Sequence, residues 1–123
     1  MESLNKLAGE AYKINKEKGY YQGKVNIPEK LCLIHSEVTE ALEADRNTMH
    51  YMMTNVQKNV LMGWTNETDF KESYRQTVKG SFEEEMADII IRTISLCAHL
   101  KIDIDFHVKA KLRYNKEGLA KKY

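Results

Sequence analysis

Apolar residues recur at helical spacing along almost the whole chain, and no segment shows the period of two that marks a half-buried strand. Over residues 2–18, Leu4, Leu7, Ala8, Ala11, Tyr12 and Ile14 fall on one side of a helix, and Gly19 suits the stop that follows. Residues 20–26 read as a loop. Pro28 then sits in the first turn of a second helix, where its missing N–H leaves no bond unmade. That helix presents Leu31, Ile34, Val38, Ala41 and Leu42 and runs to about Asp45. Met49, Met52, Met53, Val56 and Val60 make residues 47–62 a third amphipathic stretch, broken by Gly63-Trp64-Thr65-Asn66. A short helix follows from about Asp69 to Val78. Ser81-Phe82-Glu83-Glu84 has the spacing of a capping box, and the helix it opens carries Phe82, Met86, Ile89, Ile90, Thr93, Leu96, Cys97 and Leu100. Asp103 is placed to cap a last helix that reaches Lys116 and ends at Gly118. The pattern predicts an all-α bundle of four or more helices, in a single domain over residues 1–123.

Composition narrows the partners. At 123 residues the chain is long enough to bury a core without disulfides. A formal net charge of +1 argues against a polyanion binder, so no nucleic-acid partner is expected. The charge is unevenly spread: residues 109–123 carry six basic side chains against Glu117 alone, which leaves the middle of the chain acidic. Cys32 and Cys97 have neither zinc-site nor disulfide spacing and read as small buried hydrophobes in a reducing compartment. No apolar run is long enough to span a membrane and the N-terminus has no signal-peptide core, so a cytoplasmic location is expected.

Candidate chemistry lies in two acidic pairs, Glu37-x-x-Glu40 in the second helix and Glu85-x-x-Asp88 in the capped one. Residues three apart on a helix are neighbours, so each pair projects two carboxylates from one side. Each pair flanks its apolar stripe, and antiparallel packing of the two helices would bring four carboxylates to a shared margin. Like charges that close repel unless a cation lies between them, and hard oxygen donors suit Mg²⁺ or Mn²⁺ bridging to phosphates. Acids at this spacing also arise by chance on solvated faces. A di-iron site is disfavoured, because no histidine has an acid three residues before it: Cys32, Asn47, Leu96 and Ile104 precede His35, His50, His99 and His107.

The segment EKLCLIHSEVTEALEADR, followed by FEEEMADIIIRTISL, resembles the MazG-like all-α nucleoside triphosphate pyrophosphohydrolases, whose signature is an E-x-x-E pair and a later E-x-x-D pair. The matches are Glu37 with Glu40 and Glu85 with Asp88, supported by Ala41-Leu42-Glu43-Ala44, Ala87-Asp88-Ile89, Glu17-Lys18-Gly19 and Lys111-x-x-Tyr114-Asn115-Lys116. The segment from about residue 47 to 80 is longer than the family's common pattern. After Asn115 the chain lacks the arginine, proline and histidine often found there. The resemblance implies that Glu37, Glu40, Glu85 and Asp88 hold Mg²⁺, with Mn²⁺ as a substitute. Water would then cleave a nucleoside triphosphate to the monophosphate and pyrophosphate, one glutamate taking its proton. Lys111, Tyr114 and Asn115, at i, i+3 and i+4, are candidates for the distal phosphates. Arg92 is a candidate phosphate contact or a partner of Asp88. His35 is a candidate for the base pocket or a packing histidine, and Trp64, Tyr20 and Tyr21 could stack on a base. The resemblance further implies a homodimer or homotetramer. Two other readings stay open: a phosphoribosyl-ATP pyrophosphohydrolase, which would favour an acid at Ser36 and a histidine at Arg92, and a non-catalytic helical interaction module.

Overall fold

The computed structural model describes residues 3–117, so the expected stop at Gly118 and the basic residues Lys121 and Lys122 lie outside the described residues. Six helices and no strands occur among them: α1 (Leu4–Glu17), α2 (Ile27–Arg46), α3 (Asn55–Met62), α4 (Glu67–Gln76), α5 (Phe82–His99) and α6 (Ile104–Glu117). The all-α expectation is met. No helix among the described residues is long and apolar enough to cross a membrane.

Helix ends are set by local hydrogen bonding. Three helices close in the same way, with one residue in the left-handed region and two crossed backbone bonds. After α1, Gly19 (φ +87°) donates to the Lys16 carbonyl and Tyr20 to Asn15. After α2, Thr48 (φ 54°) donates to Asp45 and Met49 to Ala44. After α5, Lys101 (φ 60°) donates to Ala98 and Ile102 to Cys97. Only the first uses glycine, so only the first was signalled by residue type. Starts are capped by side chains: Asn26 accepts from Glu29 N, and Thr54 and Gln57 form a reciprocal box. Asn66 accepts from Thr68 N and Asp69 N, and Asp103 accepts from Phe106 N.

The third helix is a correction. Residues 47–54 are not helical; α3 begins only at Asn55. The methionine spacing suggested a continuous helix, but the left-handed Thr48 ends α2 and the Thr54–Gln57 box starts α3 afresh. The intervening segment is tied down instead. Phe82 N donates to the Met49 carbonyl (2.7 Å) and Tyr51 N to Glu83 Oε1 (2.8 Å). The His50 ring lies between Asp45 Oδ1 (2.9 Å) and Glu83 Oε2 (3.2 Å), and those two hydrogen bonds raise its pKa.

The chain forms two compact units. One takes the described residues up to Lys30 and from Ile91 onward; the other is Leu31–Ile90. In the first, α1 and α6 cap each other. Leu4 N and Asn5 N donate to the Asp105 carboxylate (3.0 and 3.1 Å), which favours the positive end of α1, and Asp105 N returns a bond to Asn5 Oδ1. Ser95 is fully buried, and its hydroxyl is met by Asn15 Nδ2 (3.0 Å) and the Tyr21 hydroxyl (2.8 Å). Tyr21 stacks on His99, which bonds the Tyr12 hydroxyl.

Burial departs from the apolar pattern. On α2 the buried residues are Glu37, Ala41 and Ala44, whereas Leu31, Val38 and Leu42 are each nearly half exposed. On α5, Leu96 is buried but Met86 and Ile90 are exposed, as is Leu100 just after it. Cys97 is half-buried, as a small core residue would be, but Cys32 is exposed, contrary to expectation.

An L-residue held in the left-handed region costs about 1–2 kcal/mol, which glycine avoids. Lys101→Gly is therefore expected to stabilise the fold by about 1 kcal/mol, and Lys101→Val to destabilise it. Urea denaturation of both variants measures the difference.

Candidate metal centre

The second unit brings the acidic residues together. Glu37 and Glu40 stand one turn apart on α2, and Glu84, Glu85 and Asp88 occupy the first two turns of α5. Each of Glu37, Glu40 and Glu85 offers a carboxylate oxygen within 4.8 Å of the others, and the same holds for Glu84, Glu85 and Asp88. Glu85 belongs to both groups and so joins the two predicted pairs. Four of the four expected ligands are in the cluster, and Glu84 is an addition.

Position on the helices differs from the expected margin. Glu37 shares the buried line of α2 with Ala41 and Ala44, at i, i+4 and i+7, and is itself only 9% exposed. A carboxylate on that line is uncommon without compensation. Glu40, one turn on, is exposed.

Electrostatics centre on Glu85. Burial, a hydrogen bond shared with Glu40, and the nearby charges of Glu40, Asp88 and Glu37 push its carboxyl up to about 7. Its Oε2 is buried and has no hydrogen-bond partner among the described residues. Glu85 therefore keeps its proton well above the usual carboxylate range, while its own Oε2 has nothing to accept from. The donor set is oxygen only, which suits Mg²⁺ or Mn²⁺ and not a soft metal.

Glu84 has a second task, which explains why sequence spacing assigned it to a cap. Glu84 N donates to Ser81 Oγ as the box requires, but its side chain reaches past Ser81. Glu84 Oε1 accepts from Gly80 N at 2.9 Å, with Lys79 Nζ 3.8 Å away. The Tyr74 hydroxyl also donates to Glu84. Burial first, then that bond and the charges of Glu84, Asp88 and Glu85, raise the phenol's pKa. Tyr74 was not foreseen; an aromatic ring in a weakly patterned short helix gives no signal of what its hydroxyl meets.

The remaining expected residues are placed as follows. His35 is exposed on α2, not packed, with its carbonyl taking the Thr39 hydroxyl. Trp64 is exposed in the turn between α3 and α4. Arg92, Lys111, Tyr114 and Asn115 belong to the other unit. There the Arg92 guanidinium lies 5.8 Å over the Tyr20 ring and Lys111 Nζ 4.8 Å over Tyr114. Tyr114 is well exposed and Asn115 half-buried.

No protein-family model, curated protein or solved structure matches the chain.

The raised Glu85 carboxyl has a signed consequence. Unfolded, it titrates near its ordinary value of 4.5; folded, near 7. Between these values the folded state binds more protons, so metal-free stability falls as pH rises from about 4.5 to 7. Glu85→Gln is expected to flatten that slope. Denaturation midpoints across this range, taken with a chelator present, test it; an unchanged slope contradicts the assignment.

Proposed function

We propose that the chain is a metal-dependent hydrolase that cleaves a nucleoside triphosphate to the monophosphate and pyrophosphate. The observation that carries this reading is the convergence of two i,i+3 acid pairs on Glu85. Glu37, Glu40, Glu85 and Asp88 would hold Mg²⁺, or Mn²⁺ in its place, with Glu84 at the edge. Such an ion supplies Lewis-acid charge for the phosphate oxygens and makes a bound water more acidic. The chain's own part is geometric and protonic. Glu37, fixed on the buried line of α2, and Glu85, in the first turn of α5, set the donor spacing. A glutamate of the cluster would accept the proton of the attacking water. The ordered resemblance to the MazG-like enzymes supports the same chemistry and implies Lys111, Tyr114, Asn115 and Arg92 as candidate phosphate contacts.

A homo-oligomer, two or four copies, belongs to this reading. Leu31, Val38, Leu42, Met86 and Ile90 are each 42–53% exposed on the two helices that carry the acids. A cytoplasmic enzyme acting on free nucleotides, with no nucleic-acid partner, fits the near-neutral charge.

Two measurements test the proposal. Pyrophosphate release from canonical and modified nucleoside triphosphates with Mg²⁺ is expected in the wild type. It should fall roughly 10³-fold in Glu40→Ala and Asp88→Ala, because metal charge stabilisation is worth several kcal/mol. Mg²⁺ or Mn²⁺ at 100 times its dissociation constant should add about 2.7 kcal/mol of stability. Absence of both effects in folded protein rejects the hydrolase and favours an interaction module. Light scattering on a sizing column should give a mass of two or four chains, and Val38→Glu with Ile90→Glu should shift it toward one.

A further inference from the structure

The part of the chain that sequence patterning explained least builds a second feature beside the acids. Residues Phe70, Lys71, Tyr74 and Arg75 of α4, with Lys79 from the turn that follows, line a depression of about 280 Å³. Its floor is aromatic: the Phe70 and Tyr74 rings lie 6.0 Å apart, inclined at 37°. Lys71, Arg75 and Lys79 supply its basic side, the Arg75 guanidinium standing 3.1 Å from Glu72 Oε2. The depression connects to the acidic cluster through Glu84. Lys79, on the rim, lies 3.8 Å from Glu84 Oε1, and the Tyr74 hydroxyl donates to the same side chain. Glu84 in turn has a carboxylate oxygen within 4.8 Å of those of Glu85 and Asp88.

An aromatic floor with a basic rim, one residue away from a candidate metal centre, has the shape of a nucleotide site. Stacking supplies affinity for any base, because every base has a π-face, and cations supply the complement to phosphate. We infer that Phe70 and Tyr74 form the platform for the base of the substrate, with Lys71, Arg75 and Lys79 facing its phosphates. The inference rests on the proposed hydrolase reading and extends it to the substrate's other end. It assigns a role to a segment longer than the resemblance to known enzymes would require. Phe70 and Lys71 bind substrate in this arrangement and are not ligands of the metal.

The test separates the two ideas by measuring binding as well as turnover. Calorimetry with Ca²⁺ in place of Mg²⁺ follows each canonical deoxynucleoside triphosphate, and inorganic triphosphate, on wild type, Phe70→Ala and Lys71→Glu/Arg75→Glu. Phe70→Ala is expected to weaken nucleotide binding about tenfold and to leave inorganic triphosphate unchanged. The double charge variant, which also removes the exposed Arg75–Glu72 pair, should weaken both while its circular dichroism stays helical. In turnover, Phe70→Ala should raise KM with kcat kept. Nucleotide binding that is equal in all three proteins overturns the platform while leaving the metal centre standing. Base-dependent binding lost in Phe70→Ala without any pyrophosphate release sustains the platform and rejects the hydrolase. No nucleotide binding to the wild type overturns both.

Discussion

Crowding of carboxylates around Glu85 is the constraint on which the site depends. Burial, the hydrogen bond with Glu40 and the charges of Glu40, Asp88 and Glu37 make its ionised form costly, so its carboxyl is raised to about 7. That arrangement requires α2 to bring Glu37 and Glu40 within a few ångströms of the start of α5. The buried line of α2 is accordingly made of small residues, Ala41 and Ala44, with Glu37 in place of a third apolar side chain. A bulky residue at 41 or 44 would push on the face that positions the acids.

The polar anchoring of residues 47–51 serves the same geometry. Met49, His50 and Tyr51 are bonded to Phe82, Glu83 and Asp45, so the chain leaving α2 is fastened to the start of α5. Glu83 accepts the Tyr51 amide and the His50 ring, and these bonds hold its carboxyl below the ordinary range. Neighbouring glutamates on one helical turn thus have opposite environments: Glu83 is held ionised by donors, and Glu85 is driven toward its neutral form by acids.

Helix order, most boundaries and the four acids were legible in the sequence, because capping residues and i,i+3 spacing act locally. The segment from 47 to 54 was not, because Thr48 adopts a backbone region that its residue type disfavours, and methionine spacing continued across the stop. Exposure was also misread. Periodicity identifies an apolar face but not what covers it, so Leu31, Val38 and Leu42 looked like core while Glu37 held the buried line. Glu84 was hidden by its own capping role, and Tyr74 by the lack of any pattern around it. Lys111, Tyr114 and Asn115 belong to the other unit, where Lys111 Nζ stands over the Tyr114 ring.

The hydrogen bond from Phe82 N to the Met49 carbonyl has an evolutionary consequence. It brings the two ends of the excursion containing α3 and α4 within 2.7 Å of each other, donor to acceptor. Closing a longer or shorter excursion across such a clasp changes the entropy only logarithmically with its length. Length changes early in the excursion therefore leave the acid-bearing helices joined, provided Tyr74 and Lys79 still reach Glu84. The excursion can change length while the Met49–Phe82 bond keeps the start of α5 beside the chain that leaves α2.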